Sequence, residues 1–243
     1  MTDSLPQVNI LLSAYNGERW LPAQLESLFS QDWPKLSVTA RDDGSSDGTV
    51  RVLRAWAERE ALTVLEGENL GFVRSFFTLV EESPEAELYA FCDQDDVWLP
   101  SKLRRCVLAL RDVPEGVPAL CFTGYEICDE ALHPLSRSRD PRNLGFRNSL
   151  ADCAPLGCCT VFNHAARDLL RRRRPEHCCG HDWWLYMVCA GLGQVIYLPE
   201  PGILYRRHGN NVSAGGADFL RFQLWRFKKF FLSGYFREIT AQL

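Results

Sequence analysis

Strand-like and helix-like segments alternate along the first 113 residues, and this alternation constrains the fold more than any other feature. The apolar run VNILLSAY is followed by GERWLPAQLESLFSQD, in which Trp20, Leu21, Leu25 and Leu28 recur at helical spacing. The same order recurs in LSVTARDD and TVRVLRAWAERE, in LTVLEG and FVRSFFTLVEES, and in ELYAFCD and PSKLRRCVLALRD. Strands that alternate with helices predict an α/β fold with a mostly parallel central sheet and helices on both faces.

The pattern becomes less regular after residue 113. ALCFTGYEICDE, CCTVFN and QVIYLP are predicted strands, and a helix is predicted from about His181 to Ala190. HPLSRSRDPRNLGFR is polar and contains proline, which predicts a loop of the kind that often carries binding groups. No internal repeat or low-complexity linker interrupts the chain. We therefore expect one domain over residues 1–215, followed by a C-terminal tail over residues 216–243.

Composition narrows the class of protein. With 243 residues, 46% hydrophobic and 24% charged, the chain can bury a sizeable core. A net charge of −4 gives no general reason to expect a nucleic-acid partner. No apolar run approaches the about 20 residues needed to span a bilayer, and the start MTDSLPQVNILLSAY lacks the basic region of a signal peptide. These features predict a soluble cytoplasmic protein.

The chain contains ten cysteines but no C-x-x-C motif, and its two Cys-Cys pairs do not match structural zinc spacing. Without an export signal, free thiols are expected. The local set of His177, Cys178, Cys179 and His181 is the one place in the sequence where a soft metal ion is conceivable.

Acidic side chains follow the second and fourth predicted strands, in RDDGSSDGT and DQDDVW, while SAYNGE follows the first. Ligands of open α/β sheets bind beyond the carboxyl ends of the strands, so these segments are predicted to form one site. Asp93, Asp95 and Asp96 would repel one another unless they are solvated, paired with bases or bound to a cation. DDGSSDGT also suits a turn in which Asp47 caps the next helix. Neither G-x-G-x-x-G nor G-x-x-x-x-G-K-[ST] occurs in the chain.

Five blocks in order resemble the family 2 glycosyltransferases, over about residues 7 to 215. They are ILLSAYNGERWLPAQLESLFSQ, RDDGSSDGT, FCDQDDVWLPSKL, GHDWWLYMV and LYRRHGNNVSA. The resemblance implies a GT-A fold and a nucleotide-activated sugar donor. DQDDVW and YRRHGNN are most similar to the bacterial rhamnosyltransferases that build cell-surface polysaccharides.

The resemblance also implies roles for particular residues. Ala14, Tyr15, Asp42, Asp43 and Asp93 would bind the nucleotide base and ribose, and carboxylates suit this because they accept hydrogen bonds from imide N–H and hydroxyl groups. Asp95 and His208 would be ligands of Mg²⁺ or Mn²⁺. Arg206 and Arg207 would bind the diphosphate, and Asp182 would be the catalytic base.

Alternatives remain at three of the motif positions. Asp96 could be a second metal ligand or could cap the segment VWLPSKL, and the cap is favoured. Asp182 could be a plain helix N-cap, and His208 could be a solvated loop residue. His181 departs from the acid that commonly neighbours this Asp in relatives, and no role is assigned to it.

The predicted reaction is metal-dependent transfer with inversion. The donor is expected to be a dTDP sugar such as L-rhamnose, with a UDP-hexose as the nearest rival, and the acceptor a growing or lipid-linked glycan. A catalytically silent sugar-nucleotide or glycan-binding module would keep the same fold, but it would be expected to lose groups such as Asp95 or Asp182 first. A third hypothesis is an assembly protein that recruits partners to membranes.

The tail combines basic residues with aromatic ones. Arg221, Arg226, Lys228, Lys229 and Arg237 are interleaved with phenylalanines and a tryptophan, which indicates a basic amphipathic helix. Two interpretations stay open. The tail could lie on the inner face of the cytoplasmic membrane, where a lipid-linked acceptor would be presented, or it could pack on the domain or on a second subunit of a homo-oligomer.

Overall fold

The computed structural model describes residues 5–175 and 180–209. The strands are β1 (Val8–Ala14), β2 (Leu36–Asp42), β3 (Leu62–Glu66), β4 (Leu88–Asp93), β5 (Val97–Trp98), β6 (Ala119–Cys128), β7 (Pro134–Arg137), β8 (Thr160–Asn163) and β9 (Gln194–Arg206). The helices are α1 (Leu21–Phe29), α2 (Thr49–Ala57), α3 (Phe72–Glu82), α4 (Lys102–Leu110), α5 (Phe146–Ser149), α6 (His164–Arg172) and α7 (His181–Leu192), and a 3-10 turn covers Gly157–Cys159.

The strands form one sheet in the order β3-β2-β1-β4-β8-β6-β9-β5, with β7 paired to β6. The first four strands of this order pair in parallel, as the strand and helix alternation predicts. β8 then runs antiparallel to both of its neighbours, β4 and β6. Parallel neighbours need a long crossover, usually a helix, and the segment between β6 and β8 holds strand β7, the four-residue α5 and the 3-10 turn but no long helix. The sheet is therefore more mixed than the sequence predicts.

The core lies on both faces of the parallel half of the sheet. All but one of the seven residues of β1 are buried, and five of the six in β4. Such continuous burial is typical of strands with helices on both sides, and it explains why these segments read as uninterrupted apolar runs.

Four elements of the described chain lie where the sequence predicts no strand or helix, namely α6, β7, α5 and the two-residue β5. Helix α6 follows β8, and the side chain of Asn163 caps it by accepting a hydrogen bond from the Ala166 N–H at 3.0 Å. Strand β7 lies within the segment predicted as a polar loop, and helix α5 begins at its last two residues. All four residues of β7 are exposed, so no apolar periodicity marks it.

No helix within residues 5–175 and 180–209 is long and apolar enough to cross a membrane. Cys92, Cys106, Cys121 and Cys158 are buried free thiols, as expected. The tail of residues 216–243 and the predicted soft-metal residues His177, Cys178 and Cys179 lie outside the described residues.

Candidate active site

The three strands that precede the acidic segments end side by side. Ala14 at the end of β1 is in register with Asp42 at the end of β2, and Ser13 is in register with Asp93 at the end of β4. The predicted convergence of these segments at one edge of the sheet is confirmed. The backbone brings them together because all three strands are parallel.

The turn after β1 is held against the acidic segment after β4. Tyr15 N–H donates to Oε1 of Gln94 at 2.8 Å, and Nε2 of Gln94 donates back to the Tyr15 carbonyl at 2.9 Å. Gly17 allows this close approach, since a Cβ there would lie 2.1 Å from Gln94 Oε1. The Tyr15 side chain is left exposed at the edge of the site. Ala14 is buried beneath it, and its carbonyl accepts from Asp43 N–H at 2.8 Å.

Asp42 and Asp43 are both buried, but their carboxylates are used differently. Oδ2 of Asp42 accepts hydrogen bonds from Gly44 and Ser45 N–H, and its Oδ1 has no hydrogen-bond partner among residues 5–175 and 180–209. Both oxygens of Asp43 are occupied within the protein: Oδ1 by Arg41 and Leu70 N–H, and Oδ2 by Gly71 N–H. A nucleotide contact stays a prediction for each, and Asp42 has the oxygen to make one.

Asp93, Asp96 and Cys158 form a compact cluster of ligand atoms that all lie within 4.8 Å of one another. Asp96 is fully buried; its Oδ1 accepts from Arg206 N–H at 3.1 Å, and its Oδ2 has no hydrogen-bond partner in the part of the chain that the structure describes. The cap predicted for Asp96 is wrong, because Trp98 and Leu99 N–H in that segment donate instead to Ser27 Oγ and to the Gly202 carbonyl.

Removal from water changes the acidity of this cluster. Burial, together with the negative charges of Asp95 and Asp182, raises the pKa of Asp93 to about 7. Burial, together with the charges of Asp95 and Asp93, raises the pKa of Asp96 well above its ordinary value. The positive charge of Lys102 opposes this rise at Asp93 but does not cancel it. The carboxylate oxygens of Asp93 and Asp96 are the ligand type that a hard divalent cation such as Mg²⁺ or Mn²⁺ prefers, whereas the neighbouring Cys158 sulfur is a softer ligand.

His208 lies beside Asp95, with 2.7 Å between Nε2 and Oδ2. The imidazole also stacks on Trp20, with ring centroids 5.1 Å apart. The structure thus brings together the two side chains predicted to ligate a metal ion, and the ligand role itself stays a prediction.

Arg206 is buried, and its guanidinium donates to the backbone carbonyls of Asp95 and Glu130. This arrangement ties the end of β9 to the acidic segment. Arg207 is partly buried, and its N–H donates to the Cys128 carbonyl at 2.9 Å. Contact of either arginine with a diphosphate stays a prediction.

Asp182 lies in the first turn of α7, and Gly180 occupies the N-cap position, so Asp182 is not the plain N-cap that the sequence left open. Its Oδ1 accepts from Trp183 N–H at 2.8 Å, and its Oδ2 accepts from Gly157 N–H at 3.1 Å. The carboxylate is partly buried and close enough to Asp93 for its charge to raise the Asp93 pKa. The site therefore joins acidic groups from the end of β4 and from the start of α7.

Sequence reasoning missed Gly157 and Cys158, which contact the two acidic parts of the site. They lie in the 3-10 turn before β8. Neither carries a motif, and the contacts form only when this turn packs against β4 and α7. Sequence reasoning also gave no role to His181, whose buried ring lies behind Gly157.

The sequence model described as Glycosyl transferase family 2 matches residues 9–173. The chain is 24% identical over 225 residues to a dTDP-rhamnosyl transferase, RfbG, of Shigella flexneri, a match that covers 86% of this chain and 75% of that protein. It is 29% identical over 166 residues to the putative teichuronic acid biosynthesis glycosyltransferase TuaG of Bacillus subtilis, covering 67% of this chain and 64% of that protein.

Solved structures with a similar fold contain nucleotide sugars. TarS residues 1–349 of S. aureus in complex with UDP-GlcNAc has a TM-score of 0.66 and 16% identity, with coverage of 87% of this chain and 62% of that one. The mannosyltransferase PcManGT from Pyrobaculum calidifontis, in complex with GDP-Man and Mn²⁺, has a TM-score of 0.64 and 22% identity, with coverage of 99% and 64%. The predicted GT-A type α/β fold is confirmed. The chain spans less than two thirds of both structures and of the TuaG relative.

Proposed function

This chain belongs to glycosyl transferase family 2, and we propose that it transfers L-rhamnose from dTDP-L-rhamnose, with inversion, to a hydroxyl of a lipid-linked or growing cell-surface glycan. Its membership of the family makes it a glycosyltransferase. The observation that carries the proposed reaction is the convergence of the β4 carboxylates with Asp182 at the start of α7. The donor is proposed from the name of the RfbG relative and from the DQDDVW and YRRHGNN segments.

In the proposed reaction, Asp182 accepts the proton of the acceptor hydroxyl. The hydroxyl oxygen attacks the anomeric carbon while the bond from that carbon to the diphosphate breaks, and attack from the opposite face inverts the centre. The two backbone hydrogen bonds to Asp182 hold its carboxylate in one orientation before the acceptor binds.

Asp93, Asp95 and Asp96, with His208, would hold a divalent metal ion between the protein and the diphosphate. When bound, the ion would stabilise the negative charge of the departing nucleoside diphosphate. At the base and ribose, Asp42 offers an oxygen without a partner and Tyr15 offers an exposed ring. Removal of the ion is expected to weaken nucleoside diphosphate binding.

A donor panel tests the proposal. The purified chain is incubated with dTDP-L-rhamnose, UDP-glucose, UDP-GlcNAc or GDP-mannose, with Mn²⁺ or Mg²⁺ and with EDTA, and release of nucleoside diphosphate is measured. The highest rate with dTDP-rhamnose, and only with metal, supports the proposal. A higher rate with a UDP sugar would show that the donor is a UDP-hexose and not dTDP-L-rhamnose. The anomeric configuration of the product, measured by NMR, tests inversion.

Asp182→Asn separates catalysis from binding. Transfer should be nearly abolished while donor affinity stays within a few-fold, because a base acts in the transition state and not in the bound ground state. Asp112→Asn, at an exposed aspartate just after the end of α4, is the matched control and should keep full activity. Retained turnover in Asp182→Asn would overturn the base assignment.

We also propose that the tail brings the enzyme to an anionic membrane surface, where a lipid-linked acceptor is held. The support is the tail's basic and aromatic composition, since its residues lie outside the described part of the chain.

A further inference from the structure

The backbone of Gly157 contacts the proposed base directly. Its N–H donates to Asp182 Oδ2 at 3.1 Å, while the Asp182 Oδ1 accepts from Trp183 N–H within the same helix turn. The second bond belongs to α7 itself, but the first comes from a separate element. The orientation of Asp182 therefore depends on where the 3-10 turn places the Gly157 amide.

Three contacts fix this turn. Thr160 Oγ1 donates to the Gly157 carbonyl at 2.8 Å, and the fully buried Lys102 donates through Nζ to the Cys158 carbonyl at 2.5 Å. The Cys158 side chain packs at the Asp93 and Asp96 carboxylates. One short turn thus contacts both the proposed base and the acidic cluster after β4.

His181 closes the space behind Gly157. A Cβ at position 157 would lie 2.8 Å from His181 Nε2 and 3.5 Å from Asp182 Cβ, and contacts below 3.0 Å force a displacement. The ring has no room to retreat, because it stacks on Phe76 at 3.8 Å between centroids and meets Phe91 edge-on at 4.6 Å. Both ring nitrogens are buried and have no hydrogen-bond partner among the described residues, so the ring acts on Gly157 through the space that it occupies.

We propose that Gly157 is a positioning residue for Asp182, and that the wedged ring of His181 makes glycine obligatory at position 157. Any side chain at 157 pushes the turn away from α7 and lengthens or breaks the N–H bond to Asp182. The carboxylate is then free to rotate away from the acceptor hydroxyl. This inference rests on the proposed function of Asp182 as the base.

Gly157→Ala tests the inference. The kcat for transfer should fall on the order of tenfold to a hundredfold, because a displacement of about 1 Å at a reacting group can cost that much. The donor KM and the calorimetric Kd for dTDP with Mn²⁺ should stay within a few-fold. Gly145→Ala is the matched control, since a Cβ there would meet only the exposed Asn143 side chain, at 3.3 Å, and it should leave kcat unchanged.

A double variant tests whether the contact between a side chain at position 157 and the His181 ring causes the loss. His181→Leu removes the ring atoms that a Cβ at 157 would meet, so in the double variant Gly157→Ala/His181→Leu the turn can return to its place. The kcat of the double variant should recover to within a few-fold of His181→Leu alone. A double variant no more active than Gly157→Ala would overturn the inference. So would a Gly157→Ala enzyme with normal kcat, or one whose donor Kd worsens as much as its kcat.

The two proposals fail in different ways. If Asp182→Asn keeps turnover, the base assignment fails, and the positioning role fails with it. If Asp182→Asn is inactive and folded while Gly157→Ala is fully active, only the positioning role fails. Thermal melting of each variant shows whether it is folded. If His181→Leu does not fold, the comparison of kcat with donor Kd for Gly157→Ala and Gly145→Ala decides whether Gly157 positions Asp182.

Discussion

At the scale of single residues, the buried carboxylate of Asp96 destabilises the folded protein. Asp96 is fully buried, one of its oxygens has no hydrogen-bond partner, and Asp93 and Asp95 add like charge. Burial of a carboxylate without full hydrogen bonding is unfavourable. Sites that bind cations commonly carry such a cost, because the bound ion compensates it.

Asp96→Asn should therefore stabilise the metal-free protein and weaken its response to metal. A gain of about 1 kcal/mol would raise Tm by about 2–4 °C in a domain of this size. The measurement is thermal melting in EDTA and again with Mn²⁺ and dTDP, where the variant should show a smaller upward shift than the wild type. Asp112→Asn, which is exposed, controls for the loss of one charge. An unchanged metal response would exclude Asp96 from the ion's environment.

His181 gives the protein a stability that depends on pH. Burial lowers its pKa to about 4 from the ordinary 6.5, with a small opposing effect of the Asp182 charge. The unfolded chain takes up a proton below about pH 6.5 and the folded chain only below about pH 4. The stabilisation is therefore complete above pH 6.5 and declines as the pH falls to 4, by about 3 kcal/mol at most.

His181→Leu should remove this part of the pH dependence. Urea unfolding at pH 7, 5.5 and 4.5 measures the free energy of unfolding, and the loss between pH 7 and 4.5 should be smaller in the variant than in the wild type. His133→Leu, at an exposed histidine, is the control and should follow the wild-type curve more closely. Parallel curves for His181→Leu and the wild type would mean that His181 is not held neutral in the folded protein.

Residue types in motifs could be recognised from sequence, but their contacts could not. Asp93, Asp95 and Asp182 stand out because carboxylates follow a strand or begin a helix. The sequence treats Asp42 and Asp43 alike, whereas the structure gives Asp43 a full set of partners and leaves Asp42 one open oxygen. That difference depends on the direction of the Arg41 side chain and on the Leu70 and Gly71 N–H groups before α3, which lie far from Asp43 in the sequence and reach it only in the folded chain.

At the scale of elements, the start of α1 supports the end of β9. The Trp20 ring, just before α1, stacks on His208 and lies 4.7 Å from the Arg206 guanidinium. These contacts hold the His208 imidazole against Asp95. Aromatic and cation–π contacts of this kind contribute about 1 kcal/mol each.

Trp20→Ala should weaken metal-dependent binding of dTDP by roughly fivefold, the equivalent of about 1 kcal/mol. Trp20→Phe keeps a ring for the stack and should lose less. Calorimetry with Mn²⁺ and with EDTA gives the two affinities whose ratio reports the metal effect. Equal ratios in the wild type and Trp20→Ala would show that the stack does not support the metal site.

The sequence predicts the strands whose burial requires apolar residues. It does not predict the strands that form only because they pair with a neighbouring strand. β1 and β4 are mostly apolar because helices cover both of their faces, so the sequence shows them as apolar runs. β7 is exposed along its whole length and is a strand only because it pairs with β6. β5 has two residues, too few for any periodicity, and it forms through its pairing with β9.

At the scale of the whole molecule, the two halves of the sheet supply different parts of the site. The parallel half ends in the turn after β1 and in the acidic segments after β2 and β4. The mixed half supplies the 3-10 turn before β8, and β9 ends beside Asp95. The antiparallel pairing of β4 with β8 joins them, which is why the alternation of strands and helices predicts only the first half of the site.

The last prediction concerns how the whole chain meets its acceptor. The net charge of −4 disfavours an anionic surface, yet the tail carries five basic residues between Arg221 and Arg237. Each basic residue near an anionic bilayer contributes about 1 kcal/mol, and salt weakens this attraction, whereas the tail's aromatic residues contribute an apolar part that salt does not weaken. Sedimentation with anionic vesicles should therefore exceed sedimentation with neutral ones and should fall as salt rises.

Charge-reversal variants test whether the tail is the part of the chain that anionic vesicles attract. Arg226→Glu, Lys228→Glu and Lys229→Glu together should abolish the preference for anionic vesicles while activity on a soluble acceptor persists. The matched control reverses Lys35, Arg111 and Arg142, which are exposed on the folded domain and change the net charge equally. If both triple variants lose binding alike, the whole-molecule charge and not the tail is responsible. If neither does, and Trp225→Ala instead lowers Tm or dissociates an oligomer, the tail packs on protein and the membrane proposal is wrong.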